Sequence, residues 1–284
     1  MSSQHYSDLS WAFIPVEETG ETPGIEHNDL WSMYKITING LWTSDSIDVA
    51  GDVVSWRGKA PLEVKKGVFL LLDILTGTSM LPLHEVIRSV CDEVDSSEVQ
   101  CFFSAQAIIE RCHREALCAY RSVVAGGLFD PTTSDLESDS DSDVEVEEKA
   151  KKDELVEANC NWLAEWLEEQ TTFAQRLIAL GAGWRIASCS AYALLVWFIE
   201  EQGFYLPGLR EIIRLIARDV DNHVDFISLL VYHLADRPTL LDVRRTVAGA
   251  VKMERACATG SLLLRVRNEL TDHLVSRSLY NDGL

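Results

Sequence analysis

Positive charge is scarce in this chain. Lys and Arg number 25 against 45 Asp and Glu, a formal net charge of −20. Phosphate backbones and anionic bilayers are held by clustered cations, so neither a nucleic acid nor a membrane is expected as a partner. The seven cysteines, at 91, 101, 112, 118, 160, 189 and 257, include no Cys-x-x-Cys pair. They read as reduced, buried thiols of a cytosolic or nuclear protein, not as a disulfide framework, and the expected location is cytoplasmic. The start, MSSQHYSDLSW, lacks a basic region followed by an apolar run, so no secretory signal is read. Apolar stretches such as SAYALLVWF fall short of a membrane span. Period-two alternation is nearly absent, which argues against a sheet.

What is present is helical pattern. The chain has 284 residues, 47% of them apolar, enough for one large core or two small ones. Residues 1–28 read as a flexible arm, and 29–284 as one helical domain. A helix is predicted over LWSMYKITING with Asp29 as its cap. Thr43-Ser-Asp-Ser suggests another start, and Pro61 opens a helix over 62–81 whose centre, GVFLLLDILTG, is apolar on several sides. Further helices are predicted over 82–94, 97–125, 149–170, 172–202, 207–233 and 239–279, the last with breaks. The fold class is all-α. One segment interrupts it. Residues 134–148, SDLESDSDSDVEVEE, hold eight acids and no base, and read as a disordered loop. Ser134, Ser138, Ser140 and Ser142 each have an acid three residues on, a permissive pattern for an acid-directed kinase.

Within the helix CFFSAQAIIERCHREALCAY, Cys101–Tyr120, Glu110 and His113 stand three residues apart, with Leu117 four further on. That spacing puts a carboxylate and an imidazole on one face. An inward Glu-x-x-His is half of a carboxylate di-iron site in a helix bundle. Taken alone, a solvated Glu110 beside a satisfied core His113 is the better explanation, because the pattern is short and common.

The surrounding sequence resembles the small subunit of class I ribonucleotide reductase. Six islands match the family: SSEVQCFFSAQAIIERCHREALCAYRSV, LWTSDSIDVAGDVVSW, FAQRLIALGAGW, GFYLPGL, RDVDNHVDF and RTVAGAVKME. The second lies upstream of the first in the chain; family and chain share the arrangement from about Asp29 to Tyr280. The resemblance implies a ferritin-like bundle, a di-iron centre held by four carboxylates and two histidines, and a tyrosyl radical. Residue by residue, Glu110, His113 and His223 match family ligands. Ser79, Trp184 and Val220 stand where the other carboxylates belong. Leu117 occupies the radical tyrosine's position, and Tyr120 lies off that face. Asp219 matches the outer carboxylate that orients a ligating histidine, and Trp42 the tryptophan of the electron-transfer path. The acidic loop departs from the family's short helical connection. The ending, SLYNDGL, reads either as the start of a missing docking tail or as a shortened one.

No catalytic residue and no cofactor is therefore expected, iron being the family's cofactor. Glu110, His113 and His223 have the ligand types for one zinc ion, but in the family the two histidines serve different irons. The expected role is a degenerate, structural or regulatory subunit in deoxyribonucleotide biosynthesis and DNA replication. Such a subunit pairs with itself or with an active small subunit, and through them with the large subunit. LLLDILTG and FFSAQAII stay apolar, as a dimer face would require. The alternatives are an active small chain with an atypical metal site, which would be an oxidoreductase, and a repurposed protein-binding module. If the alignment holds, Ser79, Glu110, His113, Trp184, Val220 and His223 face one interior point.

Overall fold

The structure, a computed structural model, describes residues 24–59, 62–78, 83–125, 153, 157–158, 160–167, 171–201 and 206–259. Among these, all extended regular structure is helical: α1 Asn28–Asn39, a 3-10 turn at Ser44–Ser46, α2 Ala50–Lys59, α3 Leu62–Thr78, α4 Leu83–Glu93 and α5 Ser97–Ala125. After a second 3-10 turn, Glu165–Leu167, come α6 Phe173–Ile186, α7 Cys189–Glu201, α8 Pro207–His233 and α9 Leu240–Thr259. Ser79, the acidic loop 134–148, most of the arm 1–28 and everything after Thr259 lie outside the described residues.

The long helices α5 and α8 pack together, with α1 and α2 against both, α3 against α5 and α6 against α8. Two apolar clusters hold them. One gathers Trp56, Val68, Leu71, Leu72, Leu117, Tyr120, Phe198 and Ile212. The other gathers Leu30, Phe102, Phe103, Leu177, Trp184, Phe226 and Leu230. Phe102 of α5 and Phe226 of α8 stack with ring centroids 3.5 Å apart. Each buried Leu or Phe contributes roughly 1.5–3 kcal/mol over the exposed state. Val220 touches both clusters, so the polar residues beside it on α8 sit at the seam between them.

The helix ends show how distant islands meet. Asp52 of α2, fully buried, accepts from the backbone N–H groups of Gly208 and Leu209 at 2.8 and 2.9 Å, closing the first turn of α8. A side chain at Gly208 would come within 2.8 Å of Val49 Cγ1 and 2.9 Å of the Asp48 carbonyl. Only glycine allows that approach.

Several expectations need correction. Asp29 does not cap α1. His27 holds the N-cap position without a side-chain cap bond, while Asp29 accepts from its neighbour Leu30 N–H and contacts His233. The helix expected over 172–202 is two helices, α6 and α7, broken at Ser188, whose φ is +67°. Buried Glu254 of α9 stabilises the break by accepting from the N–H groups of Ser188 and Ser190 at 3.0 and 2.7 Å. Those stabilising contacts lie more than sixty residues away. By length and composition alone the stretch Phe173–Glu200 is apolar enough to cross a membrane, a test that buried core helices also pass. Here it is bent at Ser188 and packed on α3, α8 and α9. The cysteines are free, but only Cys257 is buried, and Cys118 and Cys189 are exposed. Finally, LLLDILTG and FFSAQAII are apolar chiefly for this chain's own core. Leu71, Leu72, Ile74, Leu75, Phe102, Phe103, Ala105 and Ile109 are buried, whereas Ile108 is 56% exposed.

Candidate functional site

Helix periodicity puts Glu110 and His113 of α5 on the face turned to α8, and Asp219, Val220 and His223 of α8 on the face turned back. His113 Nε2 lies 2.9 Å from Asp219 Oδ2. Trp42 Nε1 donates to the same oxygen at 2.8 Å, and its ring stacks over His113 with centroids 6.0 Å apart. Arg218 donates to Asp219 Oδ1 from Nε and Nη2 at 3.0 and 2.7 Å, and to the Gly40 carbonyl. Glu110 lies between the two histidines, with Oε2 3.8 Å from His113 Nδ1 and Oε1 3.7 Å from His223 Nδ1.

The two histidines are opposite in character. Burial alone would lower the pKa of His113, but hydrogen bonds to Asp219 and Glu110, with their charges, raise it to about 9. His113 is thus an imidazolium at neutral pH. Asp219 is held below the usual carboxylate range, against the effect of burial, by His113, Trp42 and Arg218. Glu110 is also held low, against burial, by His113 and more weakly by His223. Burial pushes His223 down to about 4, with Glu110 opposing. Its two nitrogens have no hydrogen-bond partner among the described residues, and neither has Glu110 Oε1. The charges close on themselves: two carboxylates face one imidazolium and one guanidinium.

Trp184 of α6 is 8% exposed, and its indole lies 5.2 Å from the His223 ring, centroid to centroid. The edge of Phe102 covers another side of His223. Val220 is partly buried next to them. Glu110, His113, Trp184, Val220 and His223 therefore surround one region; Ser79 lies outside the described residues. Leu117 and Tyr120 are 1% exposed and belong to the first apolar cluster, one turn and more beyond His113. Burial, and then the charge of Asp52, raise the pKa of the Tyr120 hydroxyl.

Sequence reasoning missed Arg218 and Tyr192. Arg218 adjoins Asp219 in the RDVDNH run, so an arginine next to a buried acid was the available signal. Tyr192 of α7 is partly buried, its pKa raised by burial and by Glu110; nothing in its local sequence marks it. As a metal site the region is short of anions. Two ferric ions bridged by oxide need several anionic ligands. Among the described residues, Glu110 is the one carboxylate turned to both histidines, Asp219 being engaged by three other groups. Glu110 lies 3.8 and 3.7 Å from the nearer nitrogens of His113 and His223, but the three donors do not all lie within 4.8 Å of one another. Among the described residues, the group of donor atoms all within 4.8 Å of one another is a different one, His27, Asp29 and His233.

Comparison with known proteins adds the following. The family model described as "Ribonucleotide reductase, small chain" matches residues 22–277. The chain is 25% identical over 243 residues to the ribonucleoside-diphosphate reductase subunit M2 of Macaca fascicularis, covering 85% of this chain and 59% of that protein. It is 27% identical over 239 residues to the ribonucleoside-diphosphate reductase small chain of Neurospora crassa, covering 84% and 55%. The chain thus spans under two thirds of either relative. Among solved structures, the ribonucleotide reductase Rnr4 homodimer of Saccharomyces cerevisiae superposes with TM-score 0.65 at 20% identity, over 90% of this chain and 80% of that one. A ribonucleotide reductase R2 subunit from Clostridium botulinum gives 0.64 at 14% identity, over 88% and 75%. These two share the fold.

Proposed function

Because the chain belongs to the ribonucleotide reductase small-chain family, we propose that it serves deoxyribonucleotide biosynthesis as a structural or regulatory subunit without its own di-iron–radical cofactor. The observation that carries this reading is the composition of the chamber. Of the ligand positions described, Glu110, His113 and His223 keep donor side chains, whereas Val220 and Trp184 offer no lone pair to a metal. Trp184 also fills volume beside His223 that a second ion requires. His113 carries a proton on each nitrogen at neutral pH, so its charge takes over part of the compensation that a metal would provide. The donor set does not fit a di-iron centre, and no redox step runs through one. Leu117 occupies the position that the resemblance assigns to the radical tyrosine, and the tyrosine near Glu110 among the described residues is Tyr192, on α7.

The test is aerobic iron loading of the purified chain, with iron counted per chain and electron paramagnetic resonance recorded. The expected result is no stoichiometric iron pair and no tyrosyl signal. A tyrosyl signal that vanishes in Tyr120→Phe overturns the reading.

A partner is integral to it. The solved Rnr4 structure is a homodimer, and we extend that arrangement to this chain, either with itself or with an active small subunit that engages the large one. An obligate interface buries on the order of 2,000 Å2 or more. Sedimentation alone, and mixed with an active small subunit, should show a dimer in at least one case. A monomer in both leaves a repurposed binding module.

One observation favours a second reading, an active small chain with an atypical metal. The Trp42–Asp219–His113 hydrogen-bonded series is complete. The series also has a purely structural use, since it neutralises buried charge, and iron loading separates the two.

A further inference from the structure

A second cluster of metal-type donors lies at the opposite end of α8 from its N-terminal Gly208. His27 precedes α1, Asp29 is in its first turn, and His233 closes α8. One donor atom from each falls within 4.8 Å of the other two. His233 Nε2 is 2.8 Å from Asp29 Oδ2, across 204 residues of sequence. The His27 and His233 rings meet edge to face, with centroids 4.6 Å apart.

The surroundings hold these groups in place. Asp29 Oδ1 accepts from the Leu30 N–H at 2.9 Å, which leaves Oδ2 turned to His233. The backbone N–H of His27 donates to Glu98 Oε1 at 2.8 Å, and Ser96 Oγ donates to Glu98 Oε2 at 2.8 Å. Glu98 is 1% exposed, so a second carboxylate sits behind His27 in a poorly solvated position. The positive end of α1 and the negative end of α8 meet here and offset each other. The two carboxylates then decide the sign of the local field, and it favours a cation.

We propose that His27, Asp29 and His233 form a three-ligand site for a divalent cation of the zinc type, clasping the start of α1 to the end of α8. Two imidazoles and one carboxylate suit zinc, which takes such sets with its fourth position open to water. Ligands around tetrahedral zinc stand about 3.3 Å apart, so the donors need only a small closing movement. The ion replaces the direct His233–Asp29 contact with two coordinate bonds and adds a third to His27. A metal clip that closes so long a loop restrains the unfolded chain strongly. This site is separate from the Glu110 chamber and independent of the role proposed for the chain.

The test uses the full chain, stripped with a chelator and titrated with zinc chloride against a chromophoric chelator. Thermal unfolding is followed with and without the metal. One ion per chain is expected, together with a metal-dependent rise in Tm. His233→Ala and Asp29→Asn should each weaken binding by about 100-fold or more and abolish the rise in Tm. Glu98→Gln should weaken it about 10-fold, and Glu110→Gln should leave it unchanged. Asp29→Asn is nearly isosteric, so it decides the matter even if His233→Ala fails to fold. Absence of a saturable site in the unaltered chain overturns the proposal. So does a site that survives Asp29→Asn, or one that is lost in Glu110→Gln.

Discussion

The two halves of the buried polar region around Glu110 hold their histidines by different means. On the side of His113, every group is engaged. Asp219 takes hydrogen bonds from Trp42, His113 and Arg218, and the imidazole is charged. On the side of His223, the neighbours are Trp184, Phe102 and Val220, and the imidazole is neutral with neither nitrogen hydrogen-bonded among the described residues. One half behaves as a closed ion network and the other as a core that still contains a polar ring. The contrast shows how two buried imidazoles 110 residues apart take opposite charge states: carboxylate partners hold the proton on His113, and apolar neighbours keep it off His223.

The largest expected effect comes from breaking the closed half. Asp219→Ala leaves His113 and Arg218 without their shared anion, and unpairing a buried charge costs about 3–5 kcal/mol. Chemical denaturation should show a loss of that order. A loss well below about 1 kcal/mol would mean that the network is not buried in solution.

The pH dependence comes next, and it has two limbs of opposite origin. His113 is raised to about 9 from an ordinary 6.5, so its contribution is fully present below pH 6.5 and is lost as pH rises through about 9. His223 is lowered to about 4. The unfolded chain binds its proton first, so stability falls as pH drops from 6.5 towards 4. Stability should therefore peak near pH 6.5 as far as these two groups decide it. In unfolding curves taken across pH, His223→Leu should flatten the acid limb, whereas Asp219→Asn should flatten the alkaline limb and also remove the acid-side contribution of its own lowered carboxyl. If His223→Leu altered the alkaline limb instead, the assignment of charge to the two rings would be reversed.

At fixed neutral pH, His223→Leu is a smaller perturbation, and its direction is the informative part. Removing a buried polar ring without partners restores no lost bond and relieves desolvation, so stability should hold or rise by roughly 1–3 kcal/mol. A marked drop would show that an ordered ligand or ion satisfies those nitrogens.

How much of this was legible in the sequence follows from how local each cause is. The bounds of α5 and α8 match the sequence prediction because their signals are adjacent: Ser96 accepts from the Val99 N–H, and Pro207 opens α8. The pairing of Glu110 with His113 follows from a spacing of three. The break at Ser188 was hidden because the contacts stabilising it come from Glu254 on α9. Asp29 looked like a cap because acids before helices usually are; its contact with His233 lies 204 residues away. The opposite protonation of His113 and His223 was likewise invisible, since it depends on Asp219 reaching one ring and Trp184 the other. For the same reason the cysteines were misplaced: an apolar helix sequence does not say which face of the helix is covered.

Trp42→Phe carries the smallest expected effect. The indole gives Asp219 one of its hydrogen bonds and covers the His113 ring. Phenylalanine keeps most of the cover and loses the donor. Asp219 retains His113 and Arg218, so it is not left unpaired, and the loss should be about 1–2 kcal/mol, the range for a bond to a charged group. The same change should move the alkaline limb upward. An Asp219 carboxylate relieved of one donor is more basic and holds the His113 proton more tightly. A modest fall in stability with an upward or unchanged alkaline midpoint therefore marks Trp42 as one donor among three. A fall as large as that of Asp219→Ala would instead make Trp42 the group on which the closed half depends, and would erase the contrast between the two sides of the chamber.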